Sequence, residues 1–343
     1  MRLKRLPSKP RICLALQGGG AHGAFTWGVL DFLLEASDLQ FEGVSGTSAG
    51  AMNAVVLADG LMKGGRDGAR AALAEFWREV AASVPFEVAV RTLDGESVTL
   101  TPAMKMMMGW TSLFSPYELN PFDLNPLRKL VTRMVDFERL RRRSPVKLFI
   151  AATAANTGRL RLFKEHELTV DSILASACLP SIHHSVEIDG EPYWDGGFTA
   201  NPAVFPLFYE CPGRDILLVL INPLRHRDTP RSAEEIRTRS RELGFSANFL
   251  REMRMFAHAR QFANEQPWWA RGRFERRLLG TNFHLIEASE AMAGLSSDTK
   301  LAAHGPFLEQ LRELGRARAS SWLSHNASLV GSRSSVELAG LFM

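Results

Sequence analysis

The segment Gly46-Thr47-Ser48-Ala49-Gly50 limits what this chain can fold into more than any other. It lies between a strand-like run, FEGVSGT, and an Ala-rich helical run, AGAMNAVVLADG, which ends near Gly60. A serine exposed on so sharp a strand-to-helix turn needs small neighbours two residues before and after it, since a Cβ at Gly46 or Gly50 would clash across the turn. About thirty residues upstream the same grammar is already present. There RICLALQ reads as a short buried strand, GGGAHG breaks it, and AFTWGVLDFLLEA carries apolar residues at helical spacing at Phe25, Val29, Phe32 and Leu33. Two such units in succession predict an α/β fold in three layers, with a mostly parallel central sheet flanked by helices.

The rest of the chain extends this pattern. Residues 69 to 82 read as an amphipathic helix, and 95 to 126, with a methionine cluster and four prolines, as an insertion or lid. Strands are expected at 146 to 153, 159 to 163 and 215 to 221, with VEIDG and EPYWDGG continuing the sheet and a capped helix at 171 to 177. From about 231 the chain turns helical and Arg-rich, with Phe245, Phe249, Met253 and Phe256 at helical spacing. This gives an α/β domain over 1–225 and a mainly helical region over 226–343 packed on it.

With 343 residues, 45% of them hydrophobic, the chain can bury a full core. Its net charge of +4 comes from arginines spread over several segments, and no nucleic-acid recognition module accompanies them. Cys13, Cys178 and Cys211 lack the spacing of a zinc or redox motif, which points to a reducing, cytoplasmic setting. Pro7, Lys9, Pro10 and Arg11 break the first apolar run, so it does not resemble a secretory signal. No stretch approaches the roughly 20 apolar residues of a spanning helix, which leaves only peripheral membrane contact.

The chemistry gathers at three places. Ser48 falls at a helix N-terminus, where free amides and the helix dipole favour developing negative charge. Gly18, Gly19 and Gly20 leave backbone N–H groups uncovered at a strand end, as an oxyanion site requires, and the Ala49 amide adds another. Asp195, in YWDGG, closes a strand-like segment, and Gly196 and Gly197 permit the tight turn from which a carboxylate can reach a serine hydroxyl. Gly18, Gly20 and Gly23 also spell a dinucleotide fingerprint, but the ribose-binding acid it needs is missing from the end of the second strand, since Glu42 lies at that strand's start. None of the nine histidines sits in a glycine-turn setting, and His183 and His184, adjacent on an expected strand, face opposite sides and cannot share a metal. Met104, Met106, Met107, Met108 and Trp110 read equally as a flexible wall for acyl chains or as ordinary core.

GGGAHG, GTSAG and DGG, in that order, resemble the patatin-like phospholipase family, as do ASACLPSIHHSVEIDG before the aspartate and NPAVFPL after it. The resemblance implies a Ser and Asp dyad without a catalytic histidine, cofactor or metal. Ser48 would attack the ester, Asp195 would accept its proton, and water would release the acyl-enzyme. The expected activity is serine esterase or phospholipase A-type hydrolysis of fatty acyl esters. Acyl transfer and a non-catalytic lipid-binding role are the alternatives, and a dinucleotide-dependent oxidoreductase is a more distant one. Lipid or another acyl ester is the expected partner, and oligomeric state is left open. His22 departs from the Lys or Arg that relatives often carry there.

Overall fold

The structure is a computed structural model that describes residues 10–83, 89–91, 98–111, 113–225, 229–288, 292, 295 and 297–343. Residues 1–9, which carry the expectation about a secretory signal, lie outside them.

The sheet is built from the apolar runs. β1 (Arg11–Leu16), β2 (Gln40–Thr47), β5 (Lys147–Ala154), β9 (Asp215–Leu220) and β10 (Asn282–Glu287) run parallel, β6 (Leu160–Lys164) and β8 (Glu191–Asp195) run antiparallel to β5, and β7 (Val186–Ile188) pairs antiparallel with β8. The order is β10-β9-β1-β2-β5-β8-β7, with β6 also on β5; β3 (Ala89–Arg91) and β4 (Val98–Leu100) form a separate hairpin. Alternation along β1 builds two cores at once. Ile12, Leu14 and Leu16 enter the layer that holds α1 (Gly23–Ala36) and α2 (Ala49–Ala82), whereas Cys13 and Ala15 enter the layer that holds Phe249, Met253 and Phe256. Strands buried on both faces read as continuous apolar runs, which is why they stood out in the sequence.

Three local expectations change. The helix after Ser48 does not stop near Gly60 but continues to Gly64 and Gly65, whose non-helical backbone breaks it, and the second arm beyond them, to Ala82, contains the helix expected at 69–82. Gly60 serves close packing instead of termination: a Cβ there would lie 2.5 Å from the Ala69 Cα. The C-terminal region is mainly helical, yet NFHLIE within it forms β10, the sheet's edge strand beside β9. His183 and His184 lie in a turn before β7, not on a strand, and His184 stacks on Tyr117 at 4.0 Å. Asp189 and Gly190 form the hairpin turn between β7 and β8, both having positive φ as a tight turn requires.

Met106, Met107 and Trp110 stand exposed on the helix Pro102–Thr111, which sets aside the core reading for those three. The side chains of Met104 and Met108 lie outside the described residues. Among the described residues no helix is long and apolar enough to cross a membrane.

Candidate active site

The register on β5 brings the two candidate reacting groups together. β6 occupies one edge of β5 from Phe149 to Thr153, so β2 and β8 must share the other. Thr47 of β2 pairs with Ala151, and Asp195 of β8 pairs with the next residue, Ala152. The ends of β2 and β8 therefore meet head to head, and Ser48 follows directly from Thr47.

Ser48 has φ 54° and ψ −121°, a conformation an L-residue adopts only when its surroundings hold it there. Three contacts do so: its amide donates to Ser176 Oγ at 3.0 Å, the Thr47 hydroxyl donates to the Ala200 carbonyl at 2.7 Å, and the Ser48 carbonyl accepts from Met52 at 3.0 Å. Gly46 and Gly50 pack against each other, and a Cβ on Gly46 would lie 2.5 Å from the Gly50 carbonyl oxygen. A Cβ on Gly50 would meet the Leu16 carbonyl and come within 3.0 Å of the Gln17 carbonyl oxygen. Both obstacles are backbone, which cannot swing aside. Gly50→Ala is therefore expected to lose about 1–3 kcal/mol of stability, read as a lower urea midpoint at unchanged m-value; an unchanged midpoint would contradict the packing argument.

Asp195 is buried at 1% exposure. Its Oδ1 accepts the Gly197 amide at 2.7 Å, its own amide donates to the Cys178 carbonyl at 2.7 Å, and Thr153 Oγ1 donates to its carbonyl at 2.8 Å. Burial pushes the carboxyl up to about 7, opposed by hydrogen bonds from the Gly197 amide and the Ser48 side chain. The Ser48 side chain therefore lies close enough to the Asp195 carboxylate to favour its ionised form. Gly196 and Gly197 form the short 3-10 turn that follows, with Phe245 lying over Gly197.

The glycine loop closes on the same point. A Cβ at Gly18 would sit 2.8 Å from the Ser48 Cβ and 2.5 Å from the Thr47 carbonyl oxygen, so only glycine permits this approach. The Gly18 amide already donates to Asn201 Oδ1 at 2.7 Å. Gly18 therefore sets the loop's distance from Ser48, and its amide is spoken for. Gly19 and Gly20 open the 3-10 turn Gly20–His22, and Ala49 opens α2. The first amides of a helix lack intrahelical acceptors, so these groups are where donors for an anion arise.

Sequence reasoning passed over Asn201, Ser176 and Thr47, which fix the loop and the elbow. Asn201 and Ser176 both lie in the stretches around the aspartate that resemble the family, but nothing in their local spacing marks a role. His22 is buried, its Nε2 2.8 Å from Thr299 Oγ1, and burial, reinforced by the nearby positive charge of Lys300, brings its imidazole down to about 3. It is neutral near pH 7. His284 does hydrogen-bond with an aspartate and a serine, Asp215 at 3.0 Å and Ser335 at 3.1 Å. That set lies at the amino end of β9, where Asp215 pairs with Ile12, and Asp215 also accepts from Asn282 and Gly331. It anchors the C-terminal tail to the sheet, at the end opposite Ser48.

A model of the patatin-like phospholipase family matches residues 14–208, a span that includes the glycine loop, Ser48 and Asp195. The chain belongs to the patatin-like phospholipase family, and that membership makes it a lipid acyl hydrolase by class. No curated protein sequence matches it. Among solved structures it is similar to VipD from Legionella pneumophila, with 14% identity and a TM-score of 0.44 over 93% of this chain and 67% of that one. It is also similar to a chain of the ExoU-SpcU complex from the type III secretion system of Pseudomonas aeruginosa, with 15% identity and a TM-score of 0.33 over 94% of this chain and 52% of that one.

Proposed function

We propose that the chain is a serine esterase of the phospholipase A type, cleaving fatty acyl esters through a Ser48–Asp195 dyad and an acyl-enzyme. The observation that carries this reading is the junction on β5, where the strained Ser48 has the buried Asp195 carboxylate as its partner. Ionised Asp195 takes the Ser48 proton as Oγ attacks the ester carbonyl. The oxyanion that forms is met by the amides of Gly19, Gly20 and Ala49 at the head of α2, where the helix dipole adds to their effect. Collapse expels the alcohol, which leaves with the proton from Asp195. Water, deprotonated by the same carboxylate, then attacks the acyl carbon; the bond to Ser48 Oγ breaks, Oγ takes the proton back from Asp195, and the fatty acid leaves. His22, neutral and engaged with Thr299, takes no part in proton transfer.

The substrate resides in aggregates, so the enzyme must meet a lipid surface. Trp110, Leu113, Phe114 and Phe122, all exposed in the segment expected as a lid, support contact there without insertion across the bilayer.

Fluorophosphonate labelling of the intact protein followed by peptide mapping tests the assignment: the label belongs on Ser48. A label elsewhere on a protein that turns over ester would reject the dyad. Product analysis with a lipid alcohol present separates hydrolysis from acyl transfer. The base must be ionised, so kcat/KM is expected to rise with pH through about 7, the value to which burial brings Asp195. An acid limb centred near the ordinary carboxylate range of about 4 would assign the base to another group.

A further inference from the structure

The loop Gly18–Gly23 has no ionised side chain of its own, because its one titratable residue, His22, is held neutral by burial. A cation reaches it from the far end of the sequence. In the 3-10 turn Ser297–Leu301, the Lys300 carbonyl packs on Gly20, whose positive φ and lack of a side chain accept that contact. The Lys300 ammonium donates to Asn222 Oδ1 at 2.9 Å. The Asn222 and Ile221 amides donate in turn to Gln17 Oε1 at 2.8 and 2.7 Å, and Gln17 immediately precedes Gly18. The ammonium thus stands at the carboxyl end of β9, one strand from where the glycine loop leaves β1.

Two titratable groups face it among the described residues: neutral His22 and, on the helix Ala233–Glu265, Glu242. The Glu242 carboxylate stands off at 3.9 Å and is shared with Arg239 at 3.5 Å, so Lys300 is only partly compensated. A charge in such a position is costly to bury, and its field is weakly screened. It gains most when an anion forms nearby.

We propose that Lys300 is a positioning residue for the Ser48 reaction, its backbone wedging the glycine loop and its ammonium supplying the fixed positive charge that favours the oxyanion. This rests on the Ser48–Asp195 reading. It assigns an electrostatic part of the site to a residue outside the span matched by the family model, which ends at residue 208. Substituting the side chain leaves the backbone wedge in place, so the two contributions can be separated.

The test compares wild type, Lys300→Met and Lys300→Arg on a neutral short-chain p-nitrophenyl ester and on phosphatidylcholine vesicles. Lys300→Met is expected to lower kcat roughly 10- to 100-fold on both substrates, with KM little changed. Lys300→Arg is expected to restore most of that loss. Burial lowers the ammonium's pKa from its ordinary value, so wild type should lose activity on the alkaline side, and Lys300→Arg, which does not titrate, should extend activity to higher pH. A merely structural lysine would leave that limb where it is.

Unchanged kcat in Lys300→Met overturns the proposal, as does a loss confined to KM for the phospholipid, which would assign the ammonium to a headgroup phosphate. Should Lys300→Met fail to fold, Lys300→Arg decides: a shifted alkaline limb supports the charge, and an unmoved limb overturns it. Wild-type protein that is neither labelled at Ser48 nor active would sink the dyad and this inference together. Labelled, active wild type beside an unaffected Lys300→Met sinks this inference alone.

Discussion

Ser48→Ala should lower kcat/KM on a short acyl ester by roughly 10⁴-fold or more, because the covalent route disappears and only binding and the amide donors remain. The variant should still fold. Alanine is smaller than serine, lacks branching at Cβ, and inherits the backbone contacts to Ser176 and Met52 that hold the positive φ. Its far-UV circular dichroism and melting temperature should therefore match the parent's while fluorophosphonate labelling is lost. Turnover within tenfold of wild type, in protein purified free of contaminating esterase, would remove Ser48 from the mechanism.

Asp195→Asn should be nearly as damaging, by roughly 10³- to 10⁴-fold, since no second base stands in the proposed dyad to take the serine proton. It should also change stability in a way that depends on pH. Burial raises the Asp195 carboxyl from 3.8 to about 7. For an acid raised in the folded state, the native fold binds the proton more tightly than the unfolded chain does. That contribution is fully present below the unfolded value near 3.8 and is lost as pH rises through about 7. At pH 8 the wild type carries the full cost of a buried carboxylate, on the order of 4 kcal/mol, whereas asparagine keeps an oxygen for the Gly197 amide and carries none. The variant should melt higher than wild type at pH 8, with an advantage that shrinks toward pH 4. Equal melting temperatures at both pH values would mean that Asp195 is not held in the environment described.

Much of this arrangement was legible because it is written in short runs of chain. The apolar runs of β1, β2, β5 and β9 announce a sheet covered on both faces, and the hairpin turn at Asp189 and Gly190 announces itself through residues that tolerate positive φ. Ser48, Asp195 and the three loop glycines each sit at a strand end, where small neighbours betray a tight turn. What stayed hidden depends on partners far away in sequence. β10 is a six-residue run inside a helical region, its one local signal being Gly280 at the end of the helix before it, and β9 offers the edge on which it pairs. Gly60 resembles a helix stop until Gly68 and Ala69 are seen packed on it. Asn201 and Lys300 look like ordinary polar residues, since their importance lies in reaching Gly18 and Gly20 across the fold.

The helix Ala233–Glu265 rests Phe245 on Gly197 and ties Asn248 to the Phe198 carbonyl at 2.7 Å, while the turn at 297–301 bears on Gly20. The turn after Asp195 and the glycine loop are therefore both pinned by the last third of the polypeptide, which also supplies β10 to the sheet. Mild denaturant or heat that loosens only the helix near Phe245 or the turn at 297–301 would silence the enzyme while the sheet, β10 included, stays paired, because local openings precede global unfolding. Catalysis would then act as an early reporter of fraying, falling at conditions where spectroscopic signatures of the core are still intact.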